Sequence, residues 1–421
     1  MTFIRTSVLS GISVVVKLLT LLGVNKVLAI YLGPSGYAMI GQFQNLIQIV
    51  SVVASGAFGT GVTKYTAHYD EELDIQHLFW QSAFAVSGTV SIILSVLIYF
   101  LSDQLAVLLF ESNEHSAAIS IFSISIFFFS SNILLLAILN GKKETVSYVF
   151  ANILGSVVSA LLSVMLVINY GILGGLIALG VYQSLGFFVT LFICLRKEWF
   201  KPAYVFGAPD VEALKKLSAF SVMALTSAIC LPLTHMFIRD YISENIGLEY
   251  AGLWEAMSRI STLYLMVITT TLTLYYLPKL SELKDRNETI SEVLSIVKIV
   301  FPIIVVLSGV VYILRDIGIT LLFSDSFLEI SEIYIWQISG DVLKVVSWLF
   351  AFVMISKAMT FEYVISEMIF SIIHYILVVE FVSVYGFEGS SIAYMTTYFL
   401  YLLFAMYVVF FRYAESGKKT S

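Results

Sequence analysis

The sequence predicts an all-α polytopic membrane protein, with about twelve transmembrane helices in two pseudo-symmetric six-helix lobes and inward-facing N- and C-termini. Three observations predict it. Charged residues make up 12% of the 421 residues and hydrophobic ones 59%, with a mean hydropathy of +0.93. A soluble domain carries about 25% charge, because most of its surface faces water. Second, the apolar residues fall in runs of about 20, which cross a ~30 Å hydrocarbon core at about 1.5 Å per helical residue; a transmembrane β-barrel would need shorter, alternating segments. Third, the chain repeats itself at an offset near 215.

The runs place helices at roughly 7–31, 40–62, 79–101, 117–139, 145–169, 172–195, 219–240, 250–277, 293–314, 333–355, 362–384 and 388–411. The first run has no cleavage site before a polar start and reads as a retained helix. The second and eighth are the most polar, with Gln42, Gln44, Asn45 and Gln48 in one and Glu255 and Arg259 in the other. Pro232, Pro278 and Pro302 sit within or at the ends of helices, where kinks are tolerated. Residues 1–200 and 219–411 are then the two lobes. Residues 201–218, with Pro202 and Pro209, read as a cytoplasmic linker and 412–421 as a cytoplasmic tail.

Orientation follows from the basic residues, which gather in cytoplasmic loops. An inward N-terminus puts 17 of the 23 basic residues on that side, among them Lys64, Lys142, Lys143, Lys197, Lys279, Lys298 and Lys357. The outer loops hold Arg315, with Arg239 near an outer helix end, and are otherwise acidic. The repeat aligns KKETVSYV (142–149) with KAMTFEYV (357–364), and YGILGGLIA (170–178) with YGFEGSSIA (385–393). Six helices per lobe is an even number, so the repeats run parallel about an axis along the membrane normal.

A charge at the bilayer centre costs at least about 2.5 kcal/mol, so ionisable residues inside the runs mark function. Lys17 and Lys26 lie on helix 1, Glu255 and Arg259 on helix 8, Asp341 and Lys344 on helix 10, and Glu362 and Glu367 on helix 11. Glu255/Arg259 are spaced i,i+4 and Asp341/Lys344 i,i+3, each pair on one helix face. Two readings stand side by side. Each pair is a local ion pair that neutralises charge within the bundle. Alternatively, Lys26, Arg259, Lys344 and Lys17 line a cleft between the lobes and attract a phosphate or carboxylate solute, with Glu255, Asp341 and Glu367 as ion-pair or coupling candidates. Lys26 is about 8 Å from its outer helix end and can snorkel. Lys344 lies about 17 Å into its helix, near the midplane. The polar side chains of helix 2 suit either sugar hydroxyls or interhelical packing.

Other chemistry is excluded. No stretch has Walker spacing, and the five histidines form no HExxH or ligand cluster. Cys194 and Cys230 belong to no CxxC pair. No cofactor, metal, enzymatic activity or nucleic-acid partner is expected, and the net charge of −6 carries no basic tract.

The stretches VVKLLTLLGVNKVLAIYLGPSGYAMIGQFQNL (15–46), GAFGTGVTKYTAHY (56–69), WQISGDVLKVVSWLFAFVMISKA (336–358) and SIAYMTTYFLYL (391–402) resemble Wzx flippases. These form the polysaccharide-biosynthesis branch of the multidrug/oligosaccharidyl-lipid/polysaccharide exporter superfamily. The likeness covers essentially the whole chain and is closest to the enterobacterial subgroup for O-antigen and common-antigen units. It implies two six-helix bundles around a cavity in the bacterial inner membrane. The implied cargo is an undecaprenyl-pyrophosphate-linked oligosaccharide, moved from the cytoplasmic to the periplasmic leaflet. Lys17 and Lys26 look like the family's helix 1 lysines, and Asp341 and Lys344 match its GDVLK stretch. The implied partners are membrane lipids, the O-unit polymerase and the chain-length regulator. O-antigen cargo is placed before common-antigen cargo. A drug/cation antiporter of the same superfamily would need a dominant intramembrane carboxylate without matching cations. A non-transporting scaffold would tolerate loss of the charges.

Overall fold

The computed structural model describes residues 3–218, 221–283 and 285–412. Among these the chain is helical throughout, without strands. The first helix, α1 (Phe3–Ser55), bends at Gly33, whose φ of 62° and ψ of −175° precede Pro34. Tyr37 OH donates to Asn25 Oδ1 at 3.1 Å, whereas twelve residues of straight helix would separate them by about 18 Å. The helix therefore folds back, and its arms are the expected first and second helices. After a break at Gly56–Phe58 come α2 (Gly59–His68), α3 (Leu73–Phe100), α4 (Ser102–Phe110) and α5 (Ser116–Gly141).

A second hairpin, α6 (Thr145–Leu195), reverses at Gly171. Ser159 Oγ donates to the Tyr182 carbonyl across the two arms at 3.1 Å. A Cβ on Gly155 would lie 3.8 Å from Gly186 Cα, the close backbone approach that small residues permit. Then follow α7 (Val211–Ser218), α8 (Ser221–Asn245) and α9 (Leu248–Thr271), which runs through a π turn (Leu272–Tyr276) into α10 (Leu277–Glu282). The chain continues with α11 (Arg286–Ile313), α12 (Arg315–Leu322), α13 (Ile330–Ser356), α14 (Thr360–Tyr385) and α15 (Glu388–Tyr407). With each hairpin counted as two arms, the twelve expected long helices are all present among the described residues. Among the described residues, eight helices, the hairpins counted once each, are long and apolar enough to cross a membrane. Helices α8 and α9 fall outside that set, and both carry the charged groups described below.

The chain divides into two compact units, Met1–Pro232 and Leu233–Ser421. The first is packed around Phe79, Trp80, Leu134, Ile138 and Leu217, the second around Leu265, Tyr276, Val345, Leu349 and Phe350. The segment read as a linker is folded onto the first unit: Leu217 is fully buried, and the Asp210 N–H donates to Ser82 Oγ at 2.8 Å.

Both units repeat the same backbone events at an offset of 215. Lys143 and Ala358 share a left-handed φ of 58° and 51°. Lys142 and Lys357 each anchor the preceding turn. Lys142 pairs with Asp70 at 2.8 Å, and Lys357 donates to the carbonyls of Leu280, at 2.7 Å, and Leu283.

Candidate functional site

The second unit holds a polar core in apolar surroundings, built by α8, α9, α13, α14 and α15. Its centre is Asp341, fully buried in the middle of α13. Three hydroxyls donate to its carboxylate: Ser261 and Tyr264 to Oδ2, both at 2.6 Å, and Tyr394 to Oδ1 at 2.7 Å. Ser261 and Tyr264 are i,i+3 on α9 and so share one face. Ser261 in turn accepts from Gln337 Nε2 at 3.0 Å. Gly340 makes the Tyr394 contact possible, because a Cβ there would lie 2.4 Å from the Tyr394 ring. Charge-assisted bonds of this kind are about twice as strong as neutral ones. A hydroxyl can also turn and accept, so the same three groups can hold the protonated acid.

Lys344 is one turn further along α13, yet it does not pair with Asp341. This corrects the expected i,i+3 ion pair. Its Nζ lies 5.2, 5.4 and 5.0 Å from the ring centroids of Trp348, Tyr394 and Tyr398. Each such contact contributes about 0.5–2 kcal/mol depending on desolvation. The carboxylate already accepts three hydroxyl hydrogen bonds, and the Tyr394 ring occupies the space beside the ammonium. Among the described residues no carboxylate comes within 4.0 Å of Lys344. Glu367, half-buried on α14, acts on it electrostatically from further away.

Glu255 on α9 is clasped by two arginines. Arg259 Nε donates to Oε1 at 2.8 Å, and Arg239 Nη2 on α8 donates to Oε2. The three side chains are 10%, 15% and 3% exposed in the order Glu255, Arg259, Arg239. The local ion pair expected for Glu255 and Arg259 is present, and Arg239 extends it. Arg239 lies six residues before the end of α8 and is buried there, its guanidinium 5.7 Å from the Trp254 ring. The cluster thus brings two guanidiniums to one carboxylate.

Lys26 is half-buried on the first arm of α1, next to the buried Asn25. The Lys17 side chain and the tail beyond Arg412 lie outside the described residues. Of the polar side chains of the second arm, Gln42 is buried while Gln44 and Gln48 are exposed. Sequence reasoning missed Arg239, Ser261, Tyr264 and Tyr394 as site residues, and also His374. His374 Nε2 is buried without a hydrogen-bond partner, its ring 6.0 Å from that of Tyr394. Among the described residues, no group of three or more His, Cys, Asp or Glu side chains could hold a metal ion.

Outside the spans, Glu144 sits at the turn between α5 and α6. Burial pushes its carboxyl up, but hydrogen bonds from Lys197 (2.8 Å), Ser147 (3.0 Å) and Trp199 (3.5 Å) outweigh it, and the pKa is lowered. Burial lowers the pKa of Lys357 at the corresponding turn of the second unit.

Comparison with known proteins agrees with this architecture. The family described as Polysaccharide biosynthesis protein matches residues 27–332. Lipid III flippase of Escherichia coli (strain K12) is 27% identical over 402 residues, covering 95% of this chain and 96% of its own. Among solved structures, the inward-facing conformation of a multidrug resistance MATE family transporter of the MOP superfamily gives a TM-score of 0.78 at 16% identity, over 96% of each chain. Lipid II flippase MurJ, in an inward closed conformation, gives 0.72 at 18% identity, over 96% of this chain and 87% of that one. These structural likenesses establish the two-lobed all-helical fold. The family match runs from the first arm of α1 into α13, well over half of the sequence, and this chain belongs to the polysaccharide biosynthesis protein family.

Proposed function

We propose that this multi-pass membrane protein is a flippase of the bacterial inner membrane. It moves an undecaprenyl-pyrophosphate-linked oligosaccharide unit from the cytoplasmic to the periplasmic leaflet and makes or breaks no covalent bond. The observation that carries the reading is the end-to-end likeness to a Lipid III flippase, 27% identical over 95% of this chain. The charge of the second unit supports it. Among the described residues no carboxylate comes within 4.0 Å of Lys344, and Arg239 and Arg259 bring two guanidiniums to Glu255. Both suit a diphosphate, whose oxygens take charge-assisted bonds. We assign diphosphate recognition first to Lys344, with Arg259, Lys26 and Lys17 as further candidates. Glu255, Asp341 and Glu367 are assigned to ion pairing or coupling. The O-antigen unit and the common-antigen unit are the two candidate cargoes. The O-unit polymerase and the chain-length regulator are the candidate partners.

One observation favours a second reading. Asp341 is a buried carboxylate whose hydrogen bonds come from three hydroxyls; a dominant intramembrane carboxylate is a feature a drug/cation antiporter of the same superfamily would need. In the flippase reading the same group serves coupling. Purified protein in proteoliposomes distinguishes the two. The flippase reading expects a labelled lipid-linked unit placed in one leaflet to become accessible to an impermeant reagent on the other side. O-antigen and common-antigen units offered in parallel identify the cargo. Transport of cationic drugs with neither unit moved would establish the antiporter instead.

A further inference from the structure

We infer that the lipid-exposed face of α11 carries a binding site for the phosphodiester headgroup of a glycerophospholipid. An open surface groove of about 300 Å³ lies along this helix, lined by Asn287, Ile290, Ser291, Leu294, Ser295 and Lys298. Residues 287, 291, 295 and 298 follow the helical repeat and form one polar stripe. The helix beneath it is otherwise the most apolar of the candidate spans and among the least covered by protein. Ser291, Leu294, Ser295 and Lys298 are all exposed.

The polar groups of the stripe are available to a ligand. Helical serines elsewhere return their hydroxyl to a carbonyl one turn back, as Ser281 does to Leu277 at 2.9 Å and Ser339 to Ile335 at 2.8 Å. Among the described residues, Ser291 and Ser295 make no such bond. The neighbouring carboxylate, Glu292, is paired with Lys279 at 2.6 Å. The charge of Lys298 is therefore uncompensated among the described residues.

The chemistry selects one occupant. A single ammonium matches the single negative charge of a phosphodiester; a diphosphate would call for a second cation. Two hydroxyls and a carboxamide suit the ester and glycerol oxygens that surround that charge. Lys298 lies about 18 Å along the axis from the start of α11, and its flexible stem can carry the ammonium to the headgroup plane. The apolar Ile290 and Leu294 between the polar groups pack against the first carbons of the acyl chains.

The test uses the full-length protein, purified in a mild detergent. Thermal stability is titrated with dioleoyl phosphatidylglycerol, with dioleoylglycerol, which lacks the phosphodiester, and with inorganic phosphate. The expected result is saturable stabilisation by phosphatidylglycerol alone. Loss of the charge-assisted bond in Lys298→Ala should weaken the apparent affinity about tenfold. Lys298→Arg should keep most of it, and the double variant Ser291→Ala/Ser295→Ala should lose part. The arginine and serine variants keep the test decisive if Lys298→Ala does not fold. Equal stabilisation by dioleoylglycerol, or an undiminished response in both Lys298→Ala and the serine variant, would overturn the site. Stabilisation by inorganic phosphate alone would show a free-anion site and overturn the lipid assignment.

Discussion

Gly171 and Gly386, 215 residues apart, hold the same reversal of the chain, with φ 57°, ψ −132° and φ 59°, ψ −141°. Three residues further on, Gly174 and Gly389 make room for the carbonyls of Leu166 and Phe381, which a Cβ would approach to 2.0 and 2.2 Å. Leu166 and Phe381 are themselves 215 apart. Each lobe thus closes its last hairpin with one glycine that supplies the dihedral angle and one that supplies the space.

The two glycines of each turn should fail differently when substituted. Nothing lies within 4 Å of a Cβ on Gly171, so Gly171→Ala carries backbone strain alone, of about 1–3 kcal/mol. Gly174→Ala drives a methyl into a backbone carbonyl and should destabilise more. Thermal unfolding of both variants in detergent checks the order. Equal losses would contradict it.

Around Glu255, losing the carboxylate should cost more than losing one arginine. Glu255→Ala removes the carboxylate that both guanidiniums bond, and breaking a buried pair costs about 3–5 kcal/mol. Arg259→Ala leaves Arg239 on the carboxylate, so folded protein should persist at near-normal levels. The membrane-extracted yield of each variant measures this. If Arg259→Ala folds normally yet transports slowly, its guanidinium serves cargo. If it is lost as fully as Glu255→Ala, Arg259 is required for folding and Arg239 does not compensate.

Lys344→Ala should reduce flipping at least about tenfold at matched protein level, because charged hydrogen bonds contribute about 1.5–3 kcal/mol. Lys344→Arg should keep part of the activity. Tyr394→Phe leaves a ring over the ammonium but removes the hydroxyl on Asp341 Oδ1. If Asp341 serves coupling to an ion gradient, as proposed for the flippase reading, this variant should alter the dependence of flipping on such a gradient more than cargo affinity. Wild-type flipping in Lys344→Ala proteoliposomes would remove this residue from the site.

All of the twelve helices but α8 and α9 were legible because apolar length reports span directly, and the turns at Gly171 and Gly386 because a repeated YG motif marks them. The intramembrane charges were legible too, since any ionisable group in an apolar run stands out. Their partners were not. Spacing along α13 brings Asp341 and Lys344 together, but Tyr394 comes from 53 residues downstream and Ser261 from 80 upstream. The pairing of Arg239 with Glu255 likewise joins two helices. Helical periodicity describes one helix face, whereas a buried carboxylate is satisfied by whichever side chains packing brings to it.

The turn at Glu144 should make the stability of the first unit depend on pH in a defined direction. Hydrogen bonds from Lys197, Ser147 and Trp199 lower the folded pKa of this carboxyl below its ordinary 4.5, overcoming burial, which acts the other way. A depressed folded pKa stabilises the native state fully above the unfolded value, and this contribution is lost as pH falls through the folded value. The difference in thermal midpoint between the wild type and Glu144→Gln should therefore be constant at neutral pH. It should begin to shrink as pH drops below about 4.5 and vanish at still lower pH. In Lys197→Ala, burial loses its strongest opponent and the pH dependence should flatten. Midpoints of the three proteins measured across this range decide the matter. A difference that grows as the pH is lowered would mean that burial, not the hydrogen bonds, governs this carboxyl.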